Sequence, residues 1–393
     1  MNKTDIMKRN LLLLFALLSF CSCDAKSSVS GDNGEKDENE FVADVSAPDI
    51  FVKGQQGYHT YRIPALTKTK KGTLLAFCEG RKDSGSDTGD IDLILRRSID
   101  DGKTWSKIIV VWDDEYNTCG NPSPVVDPVT GRIHLLMTWN LGSDGKSAGD
   151  FNNGKTKDTR RVFYTWSDDD GLTWEKPKEI TSQAKGEGYG WYATGPCHAI
   201  VLTKEPYAGR IVVPCDCNKI GGAGFSHVIY SDDNGENWQI GGMVSGGNES
   251  TVAELQDGSI IISCRCSGGK RMLAWSKDGG ETFGESVKSA DLPDPRCQGS
   301  MLETVYDGQY VILHSNCADA SSRIKMTVKA SLDDGKTWNG GKEVWSGPTA
   351  YSDMVMINDN IVGLLYENGN SNSYERISFE RVSMNSILNS EKK

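Results

Sequence analysis

SIDDGKTW (98–105), SDDDGLTW (167–174), SDDNGENW (231–238), SKDGGETF (276–283) and SLDDGKTW (331–338) are five versions of one octapeptide, S-x-D-x-G-x-T-W. Their starts are separated by 69, 64, 45 and 55 residues. An internal repeat of this kind is the first thing to weigh in a fold assignment, and unequal spacing favours blades with variable loops over a regular solenoid. In each copy the Asp side chain is placed to bond backbone N–H groups of a tight turn. The Gly supplies backbone angles that other residues resist, and the final Trp or Phe is sized to pack back between sheets. The flanks read as strands: DLILRRS, RRVFYTW, SHVIYS, KRMLAWS and IKMTVKAS precede the turns, with GRIHLLMTW, GRIVVPC and GSIIISC as partners. Strand, Asp turn and strand make a hairpin. Five such hairpins with partner strands predict an all-β chain of four-stranded antiparallel blades around an axis. Five boxed blades and one unboxed give a six-bladed β-propeller over residues 47–385, with N- and C-terminal strands sharing the closing blade.

The bulk properties agree. Hydrophobic residues make up 37% of the 393-residue chain and charged residues 25%, and the 43 glycines suit a turn-rich protein. The net charge of −11 argues against nucleic acid or an anionic bilayer surface as the general partner, since both need a basic footprint. A small anionic substrate needs only a few local arginines.

The N-terminus reads as a targeting segment. Lys3, Lys8 and Arg9 precede an apolar run from Leu11 to Phe20, too short to span a bilayer and typical of a signal peptide. Cys21 and Cys23 follow. The pattern resembles a bacterial lipoprotein signal, in which the first mature residue is a lipidated cysteine. Cys23 fits better, because small Ser22 precedes it while Phe20 precedes Cys21; ordinary secretion with soluble release is the alternative. Residues 1–23 form the signal and 24–46 a linker, of which Ser27–Glu40 is polar and acidic enough to be a flexible tether. An acidic stretch after the cysteine is a hint of surface export. Residues 386–393 read as a tail. The expected location is the outer membrane, on its periplasmic or surface face, or otherwise the periplasm or the medium. Beyond the signal, the odd count of nine cysteines and the C-x-C spacing of Cys215/Cys217 and Cys264/Cys266 point to buried free thiols, with disulfides as the alternative in an exported protein, each C-x-C pair facing one side of its strand.

Four segments carry chemistry: YRIPAL (61–66), CEGRKDSGSDTGDIDL (78–93), GGNESTVAELQDGSIIISCR (246–265) and AYSDMVMINDNIVGLLYENGNSNSYERISFERV (350–382). With the five boxes, their order resembles bacterial exo-α-sialidases (neuraminidases) with Asp-box (BNR) repeats over nearly all of residues 50–385. The resemblance implies that Arg62, Arg265 and Arg323 bind a substrate carboxylate and that Arg81 lines the pocket. It implies Asp87 as general acid, with Asp83, Asp90 and Asp92 as local competitors, and Glu249 as the residue activating the nucleophile, with Glu254 as the alternative. It points to Tyr374, after the LLYE turn, as nucleophile, with Tyr366 and Tyr351 as rivals. Gln298 matches a pocket-facing position, and Asp150, Trp139 and Tyr192 lie in loops that could line subsites.

The chemistry asks for these residue types. Sialic acid carries a carboxylate on its anomeric carbon, which three guanidiniums clamp by charge-assisted hydrogen bonds. A carboxylate nucleophile would meet like-charge repulsion; a phenol deprotonated as it attacks avoids it. The implied reaction is hydrolysis of terminal α-linked sialic acids with retention, through a covalent sialyl-tyrosine. No cofactor or metal is called for, and the histidines lack ligand-like spacing. Trans-sialylation, ordinary or intramolecular, is the alternative outcome. A non-enzymatic sialoglycan-binding propeller, which needs the arginines but not the acid, base and tyrosine, is the alternative class. A monomer is the default.

Overall fold

In the computed structural model, residues 41–145 and 147–390 are described; Cys23, its signal segment and the Ser27–Glu40 tether lie outside them. The strands pair in successive antiparallel ladders of four. The first joins Thr60–Lys68, Leu74–Arg81, Ile91–Ser98 and Ile109–Trp112. The second joins Thr118–Val126, Ile133–Asn140, Arg161–Ser167 and Lys178–Glu179. Tyr189–Thr194, Ile211–Lys219, Gly224–Ser231 and Gln239–Ser245 make the third. Ser250–Glu254, Ile260–Cys264, Lys270–Ser276 and Val287–Pro293 make the fourth. The fifth joins Ser300–Tyr306, Gln309–Cys317 and Ile324–Ser331 to the start of the long strand Lys342–Asn358. The remainder of that strand pairs with Ile361–Asn368, then Arg376–Ser383, and finally with Asp49–Val52 from the other end of the chain. The closing ladder therefore joins N- and C-terminal strands, as the sequence suggests.

The ladders stack face to face in a ring, because a strand's side chains alternate between its two faces. Val213 enters the core between the second and third ladders, and its neighbour Val212 the core between the third and fourth. Likewise Ile260 and Ile262 face the third ladder, whereas Ile261 faces the fifth. Ile50, Phe51, Leu365 and Phe379 of the closing ladder share a core with Leu66, Leu74 and Ile94 of the first, which completes the propeller.

The octapeptide turns close as their chemistry requires. In the first, the Asp100 carboxylate accepts from the amides of Lys103 (3.1 Å) and Thr104 (2.9 Å) and from the Thr104 hydroxyl (2.7 Å). Ser98 Oγ accepts the Gly102 amide at 2.9 Å. Burial works against the charge of Asp100, but these bonds outweigh it and hold the carboxyl below its usual range. Asp101 (φ 60°) and Gly102 (φ 80°) are both left-handed, which is why Asp and Gly serve there. Trp105 is fully buried between the closing and first ladders. In the third turn Asn237 Nδ2 donates to Asp233 at 2.7 Å, reproducing the bond of the missing Thr.

The fold extends past residues 47–385 at both ends. Ala43–Ser46, placed in the linker by the sequence, is a strand paired with Thr104–Ser106. Met384–Leu388, which overlaps the expected tail, is a helix whose Met384 and Ile387 are buried against the fifth and closing ladders; apolar residues three apart share one helical face. All nine cysteines of the described residues are buried and unbridged. Cys215 and Cys217 share one core, and Cys264 and Cys266 another.

Candidate active site

Arg62 reaches the site through an irregular stretch of the first strand. The register shifts between Arg62 and Ala65, and Ile63 takes φ 62°, an outlier for a β-branched residue. Such a bulge re-aims a side chain. Here it is held by Glu367, a fully buried carboxylate of the closing ladder. One Glu367 oxygen accepts both Arg62 Nε (2.7 Å) and the Ile63 amide (2.8 Å), and the other accepts the Tyr351 amide (3.1 Å). Burial disfavours the Arg62 charge, but Glu367 more than offsets this and keeps the guanidinium protonated.

The three expected clamp arginines converge. The Arg62 guanidinium carbon lies 4.1 Å from the Tyr374 ring centroid and 5.0 Å from that of Tyr351, and Arg323 lies 5.8 Å from the Tyr351 ring. Arg265 Nη1 donates to Glu249 at 2.6 Å and to the Tyr351 hydroxyl at 3.0 Å.

The two tyrosines are placed differently from the sequence expectation. Tyr374 Oη accepts from Arg323 Nη1 at 2.7 Å, and no hydrogen bond joins it to Glu249 among the described residues. The Glu249 carboxylate instead accepts the hydroxyl of Tyr351, the AYSD tyrosine. Tyr351 is almost fully buried against Ile63, Cys297, Cys317 and Ala350. Burial, then the Glu249 charge, push its phenol well above its ordinary pKa, with Arg265 and Arg62 opposing. The resting group is a neutral phenol already bonded to a base. The remaining rival, Tyr366, is buried in the core between the fifth and closing ladders.

Asp87 sits in the loop between the strands Leu74–Arg81 and Ile91–Ser98 with its side chain 60% exposed, 2.9 Å from Arg81 and 3.8 Å from Arg62. Burial raises its pKa and the two arginines lower it, with the arginines prevailing. Arg81 is fixed from behind by Glu79 (2.6 Å) and the Gly85 carbonyl (2.6 Å). Of the competing acids, Asp90, Asp92 and Glu254 have structural partners, whereas Asp83 is exposed. Asp90 and Asp92 each lie 3.1 Å from Lys82. Glu254 accepts the amides of Thr203 and Lys204.

Gln298 does not face the pocket. It is fully buried, donating to the carbonyls of Pro196 (3.0 Å) and Ser352 (2.9 Å) and accepting the Ser352 amide (2.9 Å). A polar turn residue reads as available in a sequence, yet this amide is spent on bracing the backbone beside Tyr351. Tyr192 is likewise core, its hydroxyl on the Ala184 carbonyl.

Several residues here escape sequence reasoning. Asp353 is buried and accepts the amides of Leu66 (2.8 Å) and His198 (2.9 Å), His198 Nδ1 (2.7 Å) and the Ser300 hydroxyl (2.6 Å), so it ties three distant segments to the Tyr351 strand. Asp216, fully buried, accepts Asn248 Nδ2 at 3.0 Å; burial and then the Glu249 charge push its carboxyl well up. Arg160 stacks on Trp191 at 3.8 Å, with burial pulling its pKa down to about 10. Both Glu367 and Asp353 lie inside motifs already marked, LLYE and AYSD, and a buried carboxylate in a strand is the signal that points to them. Among the described residues no group of three or more His, Cys, Asp or Glu side chains could hold a metal ion.

Comparison with known proteins bears on this geometry. Residues 72–365 match the BNR repeat-like domain family. The chain is 32% identical to an exo-alpha-sialidase of Aspergillus fumigatus, over 88% of this chain and 89% of that one. It is 30% identical to a sialidase of Bacteroides fragilis, over 85% and 64% respectively. Among solved structures it is similar to a Hadza microbial sialidase, with TM-score 0.78 and 28% identity over 86% of this chain and 68% of that one. The intramolecular trans-sialidase of Ruminococcus gnavus, at 19% identity and TM-score 0.72 over 86% and 98%, shares the fold.

Proposed function

The chain belongs to the BNR-repeat exo-α-sialidase family, and from that premise we propose that this glycoside hydrolase releases terminal α-linked sialic acid from sialylated glycans through a covalent intermediate on Tyr351. The observation that carries the assignment is the hydrogen bond from the Tyr351 hydroxyl to Glu249 beneath the converging arginines.

The substrate carboxylate docks against Arg62, Arg265 and Arg323. Glu249 takes the phenolic proton as the Tyr351 oxygen bonds to the anomeric carbon. The glycosidic C–O bond breaks, and Asp87 gives its proton to the departing oxygen. Asp87, now a carboxylate, takes a proton from water. The water oxygen bonds to the anomeric carbon, the tyrosyl C–O bond breaks, and Glu249 returns the proton. Two displacements retain configuration. Without substrate, Arg81 and Arg62 favour the Asp87 anion; a substrate carboxylate on Arg62 offsets that field and raises the fraction able to act as acid. Tyr374, bonded to Arg323 and stacked on Arg62, orients the clamp.

The direct test uses an aryl α-sialoside without added metal. Sialic acid is released first as the α anomer, read by proton NMR; a β first product overturns the double displacement. Glu249→Gln lowers kcat by about 10²–10⁴-fold, the range for removing a general base.

Export with lipidation at Cys23 belongs to the same reading, supported by the charged, apolar and small-residue order of residues 3–23. The expressed protein partitions into detergent and Cys23→Ala shifts it to the aqueous phase; an unchanged partition overturns the anchor.

A further inference from the structure

Beside the clamp lies a second, carboxylate-free cleft of about 170 Å³, lined by Asn218, Asn248, Arg265, Cys266, Ser267 and Arg296 together with glycine backbone. Its room far exceeds the ~10–15 Å³ that holds one water. Arg265 links it to the reaction centre, because the same guanidinium that bonds Glu249 and Tyr351 forms part of its wall, and its Nε is buried without a partner.

Arg296 is the unusual member. It is exposed, and no hydrogen bond or ion pair engages its side chain among the described residues, although the chain carries a net charge of −11. Its backbone takes φ 63°, costly for a residue with a long side chain and kept only where the surroundings enforce it. Here they do. Asp294, fully buried, accepts the Cys297 amide at 2.8 Å, its own amide donates to the Gly269 carbonyl at 3.1 Å, and Arg271 lies 3.7 Å from its carboxylate. Cys297 belongs to the floor under Tyr351. The turn that presents Arg296 is thus braced to the catalytic floor, and an unpaired guanidinium on a fixed backbone over a polar cleft recognises an anion.

We propose that this cleft is a subsite for a second, anionic sugar adjoining the cleaved sialic acid, with Arg296 binding its carboxylate or sulfate and Asn218, Asn248 and Ser267 its hydroxyls. The inference rests on the sialidase reading and sharpens it: the enzyme prefers substrates whose neighbouring sugar is itself acidic.

The test compares an α2,8-disialyl glycan, a sulfated sialyl-lactose and plain sialyl-lactose, with the full chain and with Arg296→Ala and Arg296→Gln. The wild-type preference in kcat/KM for at least one acidic substrate over plain sialyl-lactose falls about tenfold in both variants, mainly through KM, and shrinks with added salt. The two acidic arms tell carboxylate from sulfate. Equal loss on all three substrates, or no loss on any, overturns the subsite. Calorimetric titration of the same glycans into Tyr351→Phe protein, with and without Arg296→Ala, reads the subsite without turnover. Failure of wild-type turnover thus strikes the sialidase reading alone, and an unchanged affinity strikes the subsite alone.

Discussion

The Asp-box turns and the catalytic pocket use the same groups, buried or half-buried carboxylates accepting several hydrogen bonds, but across very different spans of chain. Asp100 finds its partners within four residues. Glu367 holds Arg62 from 305 positions away, Tyr351 meets Glu249 across 102, and Asp353 meets His198 across 155. A box satisfies itself locally and supports packing between two ladders. The pocket has no local solution and exists only when the whole ring is assembled. Stability is distributed among near-independent turns, whereas activity depends on a few long-range contacts.

The largest effect should come from the tyrosines. Tyr351→Phe is expected to lower kcat by about 10³-fold or more, as for loss of a nucleophile, while Tyr374→Phe costs about tenfold through a loosened Arg323. A steady-state assay in which Tyr374→Phe is the more damaging would break the long-range assignment. Next is Glu367→Gln, which leaves Arg62 buried without its counter-charge. A loss of about 3–5 kcal/mol in denaturant unfolding is the scale for a broken buried pair, with kcat/KM down about 10²-fold. The pH profile sharpens the picture further. Because Arg81 and Arg62 lower the Asp87 pKa in the free protein against its burial, kcat/KM should fall as pH rises from the acidic range, and the corresponding limb of kcat should lie at higher pH. Coincident limbs would mean that substrate does not alter the Asp87 field.

The smallest effects belong to the boxes. Asp333→Ala should destabilise by about 1–2 kcal/mol, the scale of a few lost hydrogen bonds, and leave kcat/KM within about twofold. Asp100, Asp169, Asp233, Asp278 and Asp333 are all held below the usual carboxylate range, their hydrogen bonds outweighing burial. Their contribution is therefore full above about pH 4, the unfolded value, and is lost as pH falls through the folded pKa values. Acid unfolding of Asp333→Ala should be correspondingly less steep.

The same contrast explains what the sequence made legible. The boxes announce themselves because Ser98, Asp100, Gly102 and Trp105 complete one another within eight positions. The convergence of Arg62, Arg265 and Arg323 could be anticipated one residue at a time, because each belongs to a motif on or directly beside a strand. The partner of Glu249 could not, because Tyr351 on a strand of the closing ladder and Tyr374 in the turn before Arg376–Ser383 both approach Arg62, so which hydroxyl meets the carboxylate depends on the path of that turn and on the bracing of Ser352 by Gln298. Gln298 itself misled for the complementary reason: a turn amide looks free until the carbonyls of Pro196 and Ser352 are seen to use it. Arg296 passed unnoticed because nothing in its local sequence marks a left-handed backbone.

The Glu367 bridge has one more consequence. It fastens the first ladder to the last at Arg62, the proposed docking point of the substrate carboxylate, so the clamp cannot be set before the C-terminal strands emerge and the ring is latched. A partly made or nicked chain would carry intact boxes and still be inert. Catalysis in this molecule is therefore a readout of finished topology, and a copy begins to strip glycans only once its ring has closed.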